Sequence, residues 1–320
     1  MKLLIAIVNY RTPGLVIDAL ASIAAEGTPL DTLQTVVVDN DSADESVTQI
    51  EAAIKERGWE SWARVHYEAY NRGFAAGNNA AIRPALAGPN PPDYVLLLNS
   101  DTVVRPGAIR TLVEFLAAHP QVGIAGSRLE HHDATPQCSA YRFPTILGEL
   151  DEGMRLGFLS RLLSRFVILP PISDTSCPID WVAGASMLVR REVFEQAGLL
   201  DEGYFLYYEE VDFCLRAARA GWPCWYVPES RVVHLVGASS GVTNAESVAR
   251  PRPKYWFNSR RRYFIQNHGL LYAAAVDVVW SLSYALWSLR ARLQRKDRTD
   301  PPRLLLDYLC NSVFVKGYST

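Results

Sequence analysis

The sequence predicts an α/β fold with a mostly parallel central sheet flanked by helices. Short apolar runs rich in β-branched residues alternate with longer segments of helical periodicity, which is the pattern of parallel strands joined by crossover helices. Three of the apolar runs also end directly in a polar residue. The strand-like runs are 3–8, 35–38, 94–98 and 122–125, and the clearest helical segments are 14–25 and 43–55.

The polar residues at the strand ends predict a ligand crevice. Asn9, Asp39 and the segment 99–101 directly follow strand-like runs. In open α/β sheets ligands bind beyond the carboxyl ends of the strands. A loop or a helix cap explains each residue equally well on its own, but three such ends together favour one shared crevice.

The second half of the chain has weaker periodicity. Residues 136–180 are predicted to be irregular, with a short helix near 156–166. A strand is expected at 181–189, followed by helices at 191–197 and about 209–220. Glycines at 198 and 221 mark the ends of those two helices.

Composition indicates a folded protein with an uneven distribution of charge. The chain has 320 residues, of which 49% are hydrophobic and 21% charged, which excludes extended disorder and allows about two domains at most. The net charge is -2, but residues 250–303 hold twelve Lys and Arg against three Asp, a net of +9. Residues 304–320 sum to zero, so residues 1–249 carry -11. An acidic body with a basic tail suggests that one region carries out the chemistry and that the other contacts an anionic surface.

The cysteines and the first residues predict a cytoplasmic protein. Five cysteines lie far apart with no CxxC pair, which is typical of reduced thiols. Residues 3–8 form a run of only six apolar residues before Asn9, with no small-residue cleavage site, so they are expected to form a strand rather than a signal peptide.

Two common nucleotide-binding folds are excluded by their loops. A dinucleotide fold needs GxGxxG after the first strand, whereas residues 9–14 read NYRTPG. The chain also contains no GxxxxGK[ST] loop.

Seven spaced motifs follow one another along roughly residues 3–240. They are Ile7-Val8-Asn9-Tyr10, Val36-Val37-Val38-Asp39-Asn40-Asp41-Ser42, Asn71-Arg72-Gly73-Phe74-Ala75-Ala76-Gly77-Asn78-Asn79, Leu96-Leu97-Leu98-Asn99-Ser100-Asp101-Thr102, Trp181 to Arg191, Phe205 to Arg216, and His234. In their order and spacing these motifs resemble those of glycosyltransferase family 2, the inverting GT-A enzymes, and within it the bacterial rhamnosyltransferase-like branch.

This resemblance implies a GT-A type nucleotide-sugar-binding fold and a domain organisation. Residues 1–245 are expected to form the catalytic domain, with the donor part at about 1–130 and the acceptor part at about 131–245. Residues 246–320 are expected to form a basic, helical C-terminal extension.

The resemblance also implies a divalent cation, Mg²⁺ or Mn²⁺, bound by Asp101 and His234. Asp101 matches the last acidic position of the family's metal motif, but Asn99 replaces the first acidic residue. Affinity for the free ion is therefore expected to be modest, with the diphosphate of the donor supplying further oxygens. A single His after a strand is more often structural, and only its motif context favours a ligand.

The donor site is assigned by resemblance to the strand ends and to the glycine-containing segments. Asp39 is expected to contact the base or ribose, and Arg72 a phosphate. Gly73 and Gly77 allow close approach of the backbone, although residues 77–79 equally fit the start of a helix. The full donor set is Val8, Asn9, Tyr10, Asp39, Asn71, Arg72, Gly73, Gly77, Asn78, Asn99, Ser100, Asp101, Gly184 and Ala185.

Inverting transfer needs one base near the acceptor hydroxyl, and the resemblance implies Glu210. Most relatives are expected to carry Asp at this position, so Glu209 remains an alternative base. Acidic residues at a helix start also complement the helix dipole without any catalytic role. The acceptor is assigned to Trp181, Tyr208 and Asp212, although aromatic residues are more often core and Asp212 can pair with Arg216 four residues on.

The tail contains a long apolar segment flanked by cations. Residues 269–289 include Asp277 as their only charge, which is the length of a membrane span. Asp277, Ser281, Tyr284 and Ser288 form one narrow polar stripe, which suits a helix at a membrane interface, or one packed on its own protein or on a second subunit. Nucleic acid is disfavoured because an apolar helix has no role in phosphate contact. The flanking cations are Arg260, Arg261, Arg262, Arg290, Arg292, Arg295, Lys296 and Arg298.

Together the resemblance implies transfer of L-rhamnose from dTDP-L-rhamnose to a glycan or lipid-linked acceptor in bacterial cell-surface polysaccharide synthesis. The expected location is cytoplasmic, peripheral on the inner face of the plasma membrane. Two alternatives stay open: the same fold using a UDP-hexose, or a non-catalytic relative that binds sugar nucleotides or glycans.

Overall fold

The computed structural model describes residues 1–28, 32–235, 251–296 and 300–317. The strands are β1 (Leu3–Asn9), β2 (Leu33–Asn40), β3 (Ala63–Glu68), β4 (Tyr94–Asn99), β5 (Thr102–Val104), β6 (Ile124–Glu130), β7 (Ala140–Tyr141), β8 (Cys177–Ile179), β9 (Trp181–Val182), β10 (Ser186–Arg190) and β11 (Cys224–His234). The helices are α1 (Pro13–Ala25), α2 (Ser46–Glu56), α3 (Phe74–Ala87), α4 (Ala108–Ala118), α5 (Ile146–Met154), α6 (Gly157–Leu162), α7 (Arg191–Ala197), α8 (Glu209–Arg219), α9 (Lys254–His268), α10 (Leu270–Leu293), α11 (Leu304–Cys310) and α12 (Val313–Lys316).

Nine strands form one central sheet in the order β3-β2-β1-β4-β10-β6-β11-β5, with β8 paired to β11. Strands β1, β2, β3 and β4 are parallel neighbours. Strand β10 is antiparallel to both β4 and β6, and β11 is parallel to β6. Six strands therefore share one direction, while β5, β8 and β10 oppose it. The predicted mostly parallel sheet is confirmed.

Helices cover both faces of this sheet, as the near-continuous apolar strands require. Leu3, Ile5 and Ile7 of β1 belong to one buried cluster, together with residues of α1, α2 and α4. Leu4 and Ala6 belong to a second cluster, with residues of α3, α7 and α8. This alternation along β1 fixes which strand side chains support each helical layer.

Three elements of the second half of the chain differ from the expected pattern. The predicted strand at 181–189 is divided into β9 and β10, because residues 183–185 leave the ladder beside the start of α8. The irregular region contains helix α5, where the Thr145 hydroxyl accepts a hydrogen bond from Gly148 N at 3.1 Å. The helix expected near 156–166 is the shorter α6.

The C-terminal helices are present and pack on the rest of the chain. Arg260 of α9 is buried and donates to Glu149 of α5 and to Asp277 of α10, both at 2.7 Å. The expected boundary at 245/246 lies outside the described residues. Strand β10 lies between β4 and β6, so the expected donor and acceptor parts share one sheet.

The structure shows which side of the tail helix α10 packs on the protein. Asp277 and Tyr284 are buried, so the polar stripe of α10 faces the protein and not the surroundings. Arg260 and Arg261 are also buried, and Arg262 pairs with Asp201 at 2.8 Å. The first basic cluster is therefore a packing element, because burial requires its charges to be neutralised by protein partners. Arg298 lies outside the described residues.

Candidate active site

The carboxyl ends of β1 and β2 are joined by buried polar residues. Asn9 Nδ2 donates to Asp39 Oδ2 at 2.6 Å, and the Ser42 hydroxyl donates to the same oxygen at 2.6 Å. Ser42 N donates to the other Asp39 oxygen at 3.0 Å. Asp39 is thus held rigidly at the strand end, where it was expected to meet the nucleotide.

The end of β4 joins the same group. The Thr12 hydroxyl donates to Asn9 Oδ1 at 3.1 Å and lies 3.4 Å from the Ser100 hydroxyl. Asn99 Oδ1 is buried and has no hydrogen-bond partner within the described chain. The three predicted strand ends therefore lie together, at the position of the expected ligand crevice.

The two expected metal ligands lie together in this crevice. His234, the last residue of β11, places Nε2 3.4 Å from Asp101 Oδ1. Pairing of His234 with Thr102 across β11 and β5 holds the imidazole beside Asp101. Two ligands of one ion, each bound at about 2.1 Å, are separated by about 3 Å, so this geometry fits a shared divalent cation.

The described part of the chain adds no larger cluster of ligands to this pair. Across residues 1–28, 32–235, 251–296 and 300–317, no group of three or more His, Cys, Asp and Glu could hold a metal.

Glu210 lies beside the crevice at the start of α8. A Cβ added to Gly184 would lie 3.9 Å from Glu210 Cβ, and Asn99 N donates to Ala185 O at 3.1 Å. Residues 184–185 therefore bridge the end of β4 and the glutamate. Glu210 Oε2 makes no hydrogen bond within the part of the chain that the structure describes.

Burial raises the pKa of Glu210 to about 7. Backbone hydrogen bonds, including one from Gly184, act in the opposite direction but do not cancel the loss of hydration. The side chain is half-buried rather than sealed from solvent. Such a carboxylate has a pKa near the operating range of a general base.

Glu209 has a different environment. Its side chain is fully buried, and its Oε2 also has no hydrogen-bond partner among the described residues. Burial, and then repulsion from Glu210, raise the pKa of Glu209 well above its ordinary value. Of the two adjacent glutamates, only Glu210 combines partial exposure with proximity to Gly184.

The turn before α8 has a strained backbone. Tyr207 and Tyr208 have φ values of 70° and 69°, in the left-handed region that residues with a Cβ avoid. Such strain persists where the surrounding structure enforces it, and it often occurs beside functional groups. Here it sets the direction in which α8 begins, and hence the position of Glu210.

Two residues expected at the acceptor are used for packing. Asp212 is fully buried and accepts hydrogen bonds from Arg216 Nε and Asn267 Nδ2, both at 2.7 Å. The Tyr208 ring packs against Tyr263 of α9, with centroids 5.5 Å apart. Both side chains therefore hold α8 against its neighbours, and we leave them out of the acceptor site.

Trp181 stacks on Tyr141, with ring centroids 4.1 Å apart and an interplanar angle of 15°. Strands β7 and β9 pair these residues, and Trp181 Nε1 donates to Arg142 O at 3.0 Å. Burial raises the pKa of Tyr141, and the charges of Cys138 and Glu210 add to this effect. The aromatic pair is thus within electrostatic reach of Glu210. Sequence patterns miss Tyr141, because a two-residue strand leaves no detectable periodicity.

The glycine-containing segment after β3 is organised mainly by protein contacts. Gly73 has a φ of 90°, and a Cβ there would overlap the carbonyl oxygen of Phe205. Gly77 lies within α3, where an added Cβ would meet Val8 at 2.9 Å. Arg72 pairs with Glu202 at 3.2 Å and with Glu68 at 3.3 Å. The two glycines allow close helix packing, and the guanidinium of Arg72 is held by carboxylates.

The remaining donor candidates lie around the crevice. Asn71 Oδ1 accepts from Asn40 Nδ2 at 3.0 Å, while Asn78 Nδ2 donates to Phe74 O at 2.9 Å. Tyr10 is exposed after β1, and the Arg11 guanidinium lies 5.1 Å from its ring centroid. Sequence patterns gave no role to Arg11.

Solved structures with a similar fold are glycosyltransferases. Mannosyltransferase PcManGT of Pyrobaculum calidifontis, solved with GDP-Man and Mn²⁺, aligns with a TM-score of 0.59 at 14% identity, covering 100% of this chain and 88% of that one. GalNAc-T7, solved with UDP, GalNAc and Mn²⁺, aligns with a TM-score of 0.58 at 15% identity, covering 92% of this chain and 56% of that one. At these identities the likeness concerns the fold, which is the expected GT-A type.

Curated relatives are more similar in sequence. The N-acetylglucosaminyl-diphospho-decaprenol L-rhamnosyltransferase of Mycobacterium tuberculosis is 30% identical over 49% of this chain and 52% of its own length. Rhamnosyltransferase WbbL of Escherichia coli is 30% identical over 51% of this chain and 60% of its own length. The low-salt glycan biosynthesis hexosyltransferase Agl10 of Haloferax volcanii is 31% identical over 67% of this chain and 61% of its own length. The matches thus span about half to three fifths of these relatives.

The model of the family described as "Glycosyltransferase like family 2" matches residues 2–264, which include the strand ends, the Asp101–His234 pair and Glu210. The chain therefore belongs to glycosyltransferase family 2.

Proposed function

We propose that this protein is a metal-dependent, inverting glycosyltransferase in which Glu210 is the general base. The observation that carries the proposal is the half-buried Glu210 carboxylate, whose Oε2 has no hydrogen-bond partner within the described residues. This group lies beside Gly184, at the edge of the crevice that contains Asp101 and His234. A buried acceptor atom with no protein donor is suited to receive a proton from a substrate hydroxyl.

The proposed reaction is a single displacement. The acceptor oxygen forms a bond to the anomeric carbon while the bond from that carbon to the nucleoside diphosphate breaks. Glu210 takes the hydroxyl proton, and the diphosphate leaves with the bonding electrons. With a pKa of about 7, Glu210 is about half ionised at neutral pH, which leaves enough carboxylate to act as base.

The proposed cation site consists of Asp101 and His234. A bound cation would neutralise charge on the departing diphosphate. Asp101 supplies an anionic oxygen, and His234 supplies a ring nitrogen whose position is fixed by the β11–β5 pairing. Mg²⁺ prefers an all-oxygen set, so the mixed oxygen and nitrogen set favours Mn²⁺.

The proposed donor is dTDP-L-rhamnose and the proposed acceptor a lipid-linked saccharide. Support comes from the two relatives named as rhamnosyltransferases, one of which acts on a decaprenol-linked sugar by its name. The stacked Tyr141–Trp181 pair offers an aromatic surface for a sugar near Glu210. A UDP-hexose is the competing donor, since Agl10 is named only as a hexosyltransferase.

A donor panel with and without metal tests the proposal. Release of nucleoside diphosphate is followed for dTDP-L-rhamnose and several UDP-hexoses, with Mn²⁺, with Mg²⁺ and with EDTA. Metal-dependent release with dTDP-L-rhamnose is expected, and Asp101→Asn should remove most of it. Asp44→Asn, an exposed acid after β2, is the matched control. Release from a UDP-hexose alone would refute the donor assignment, and no metal-dependent release from any donor would favour a non-catalytic binding protein.

A further inference from the structure

One face of α10 exposes a row of large aliphatic side chains. Leu271 is 87% exposed, Leu282 62% and Leu293 78%. The spacing of the row along the helix is seven, four, four, three and four residues, which keeps its members on one side. The row, which we call the leucine face, consists of Leu271, Val278, Leu282, Leu286, Leu289 and Leu293.

The opposite side of α10 is fixed to the protein. Asp277 accepts from Arg260 at 2.7 Å and from Val313 N at 2.9 Å. The Trp280 ring stacks on Tyr308 of α11, with centroids 3.4 Å apart. A monomer in water therefore buries the polar side of this helix and leaves the leucine face exposed, which is unusual for a surface helix.

Cations lie at the C-terminal end of the leucine face. Arg292, Arg295 and Lys296 are exposed beside Leu289 and Leu293. Asp277, which is buried, is the only acidic residue of α10. A surface that complements the leucine face must therefore present apolar groups together with negative charge.

Helix α6 extends the same kind of surface. Arg290 Nη2 donates to Met154 O at 3.1 Å and to Arg155 O at 3.0 Å, which brings the start of α6 close to the end of α10. Phe158 and Leu162 of α6 are both exposed, and so is Arg161 between them. Apolar and cationic side chains thus recur together on two neighbouring helices.

We propose that the leucine face docks on the surface of an anionic lipid bilayer, with Arg292, Arg295 and Lys296 among the phosphate headgroups. Phosphates supply the negative charge that the face lacks, and the outer acyl region accepts the leucines. A second copy of this chain would bring the same cations and no exposed acid on α10. The choice of a lipid surface also rests on the proposed function, since a lipid-linked acceptor lies at such a surface.

The contacts of α10 argue against a spanning helix, although the helix is long and apolar enough to cross a bilayer. Insertion would remove Asp277 from Arg260 and from Val313 N, leaving the Asp277 carboxylate without these partners and Arg260 with Glu149 alone. It would also separate Trp280 from Tyr308. A helix lying in the interface keeps all of these contacts.

Vesicle flotation without donor or metal tests the docking. The full chain is mixed with vesicles of phosphatidylcholine alone, or with about 30 mol% phosphatidylglycerol added, at low salt. The protein should float with the anionic vesicles and be released at about 0.5 M salt, where surface charges are screened. Protein that stays soluble with the anionic vesicles, or that stays inserted at high salt, would overturn the proposal.

Two variants locate the binding surface. Leu282→Glu with Leu286→Glu should abolish flotation, whereas Tyr67→Glu with Tyr70→Glu, which also changes two exposed apolar residues, should not. A triple Ser variant of Arg292, Arg295 and Lys296 should bind anionic vesicles about a hundredfold more weakly. The charge-matched control replaces Lys55, Arg64 and Arg110, all exposed, and should bind like the parent chain.

Sedimentation of the same proteins tests whether a second copy of this chain, rather than a lipid surface, covers the leucine face. A monomer at micromolar concentration is expected. A dimer that Leu282→Glu with Leu286→Glu converts to a monomer would assign the leucine face to a second copy and overturn the proposal. Failure of the docking and failure of the proposed function give different results. A protein that floats but releases no nucleotide refutes only the function, and one that transfers sugar to a soluble acceptor without floating refutes only the docking.

Discussion

The ionisation of Glu210 should control the rate of sugar transfer near neutral pH. Burial raises the pKa of this carboxyl from 4.5 to about 7. The ionised fraction is then about 10% at pH 6 and about 90% at pH 8, so kcat should rise about tenfold over this interval. An ordinary glutamate with a pKa of 4.5 would be almost fully ionised at both pH values and would give a flat profile.

The assay is single-turnover transfer to a saccharide acceptor at saturating donor and metal. Glu210→Gln should lower the rate roughly 100- to 10,000-fold and abolish the rise with pH, because the amide cannot accept the proton. Donor affinity should stay within a few-fold, since the base acts only on the chemical step. Glu209→Gln, one residue away, should retain the pH-dependent rise. A Glu210→Gln variant within a few-fold of the parent rate, or a flat parent profile, would refute the assignment.

Three further outcomes are expected. His234→Ala should weaken Mn²⁺-dependent binding of the nucleoside diphosphate roughly 10- to 100-fold by calorimetry, and His66→Ala on β3 is the control; equal affinities would contradict a shared ion. Glu209→Gln should stabilise the fold by about 1 kcal/mol at pH 8 and by little at pH 4 in urea unfolding. The sign follows because a raised folded-state pKa favours the protonated form, so stability is lost as pH rises above the ordinary pKa of 4.5 towards the folded one. Trp181→Ala should raise the acceptor KM about tenfold with donor hydrolysis unchanged, and an unchanged KM would remove the aromatic pair from the acceptor site.

The strand ends of the crevice were predictable because their signal is local. An apolar run followed by Asn9, Asp39 or Asp101 marks the end of a buried strand, and parallel strands bring such ends together. The pairing of Asp101 with His234 has no local signal, because the two residues are 133 positions apart in the chain. Only the family resemblance predicts that these two residues lie together.

Other features depend on tertiary contacts that no local pattern reports. The sequence predicts Asp212, at the start of α8, as a site residue. In the structure its carboxylate accepts a hydrogen bond from Asn267 of α9, which lies 55 positions later in the chain. Tyr141 reaches the site through a two-residue strand paired to β9. The polar stripe of α10 can be predicted from the sequence. That the stripe faces the protein depends on Arg260, whose charge is neutralised inside the protein by Glu149 and Asp277.

The stereochemistry of the product tests the central claim most directly. The donor that releases nucleotide fastest is incubated with metal and a saccharide acceptor, and the anomeric configuration of the new linkage is read by NMR. A single displacement assisted by one base, as proposed for Glu210, predicts a configuration opposite to that of the donor. Retention of the donor's configuration would exclude a single displacement from the face opposite the leaving group and would contradict the proposed mechanism.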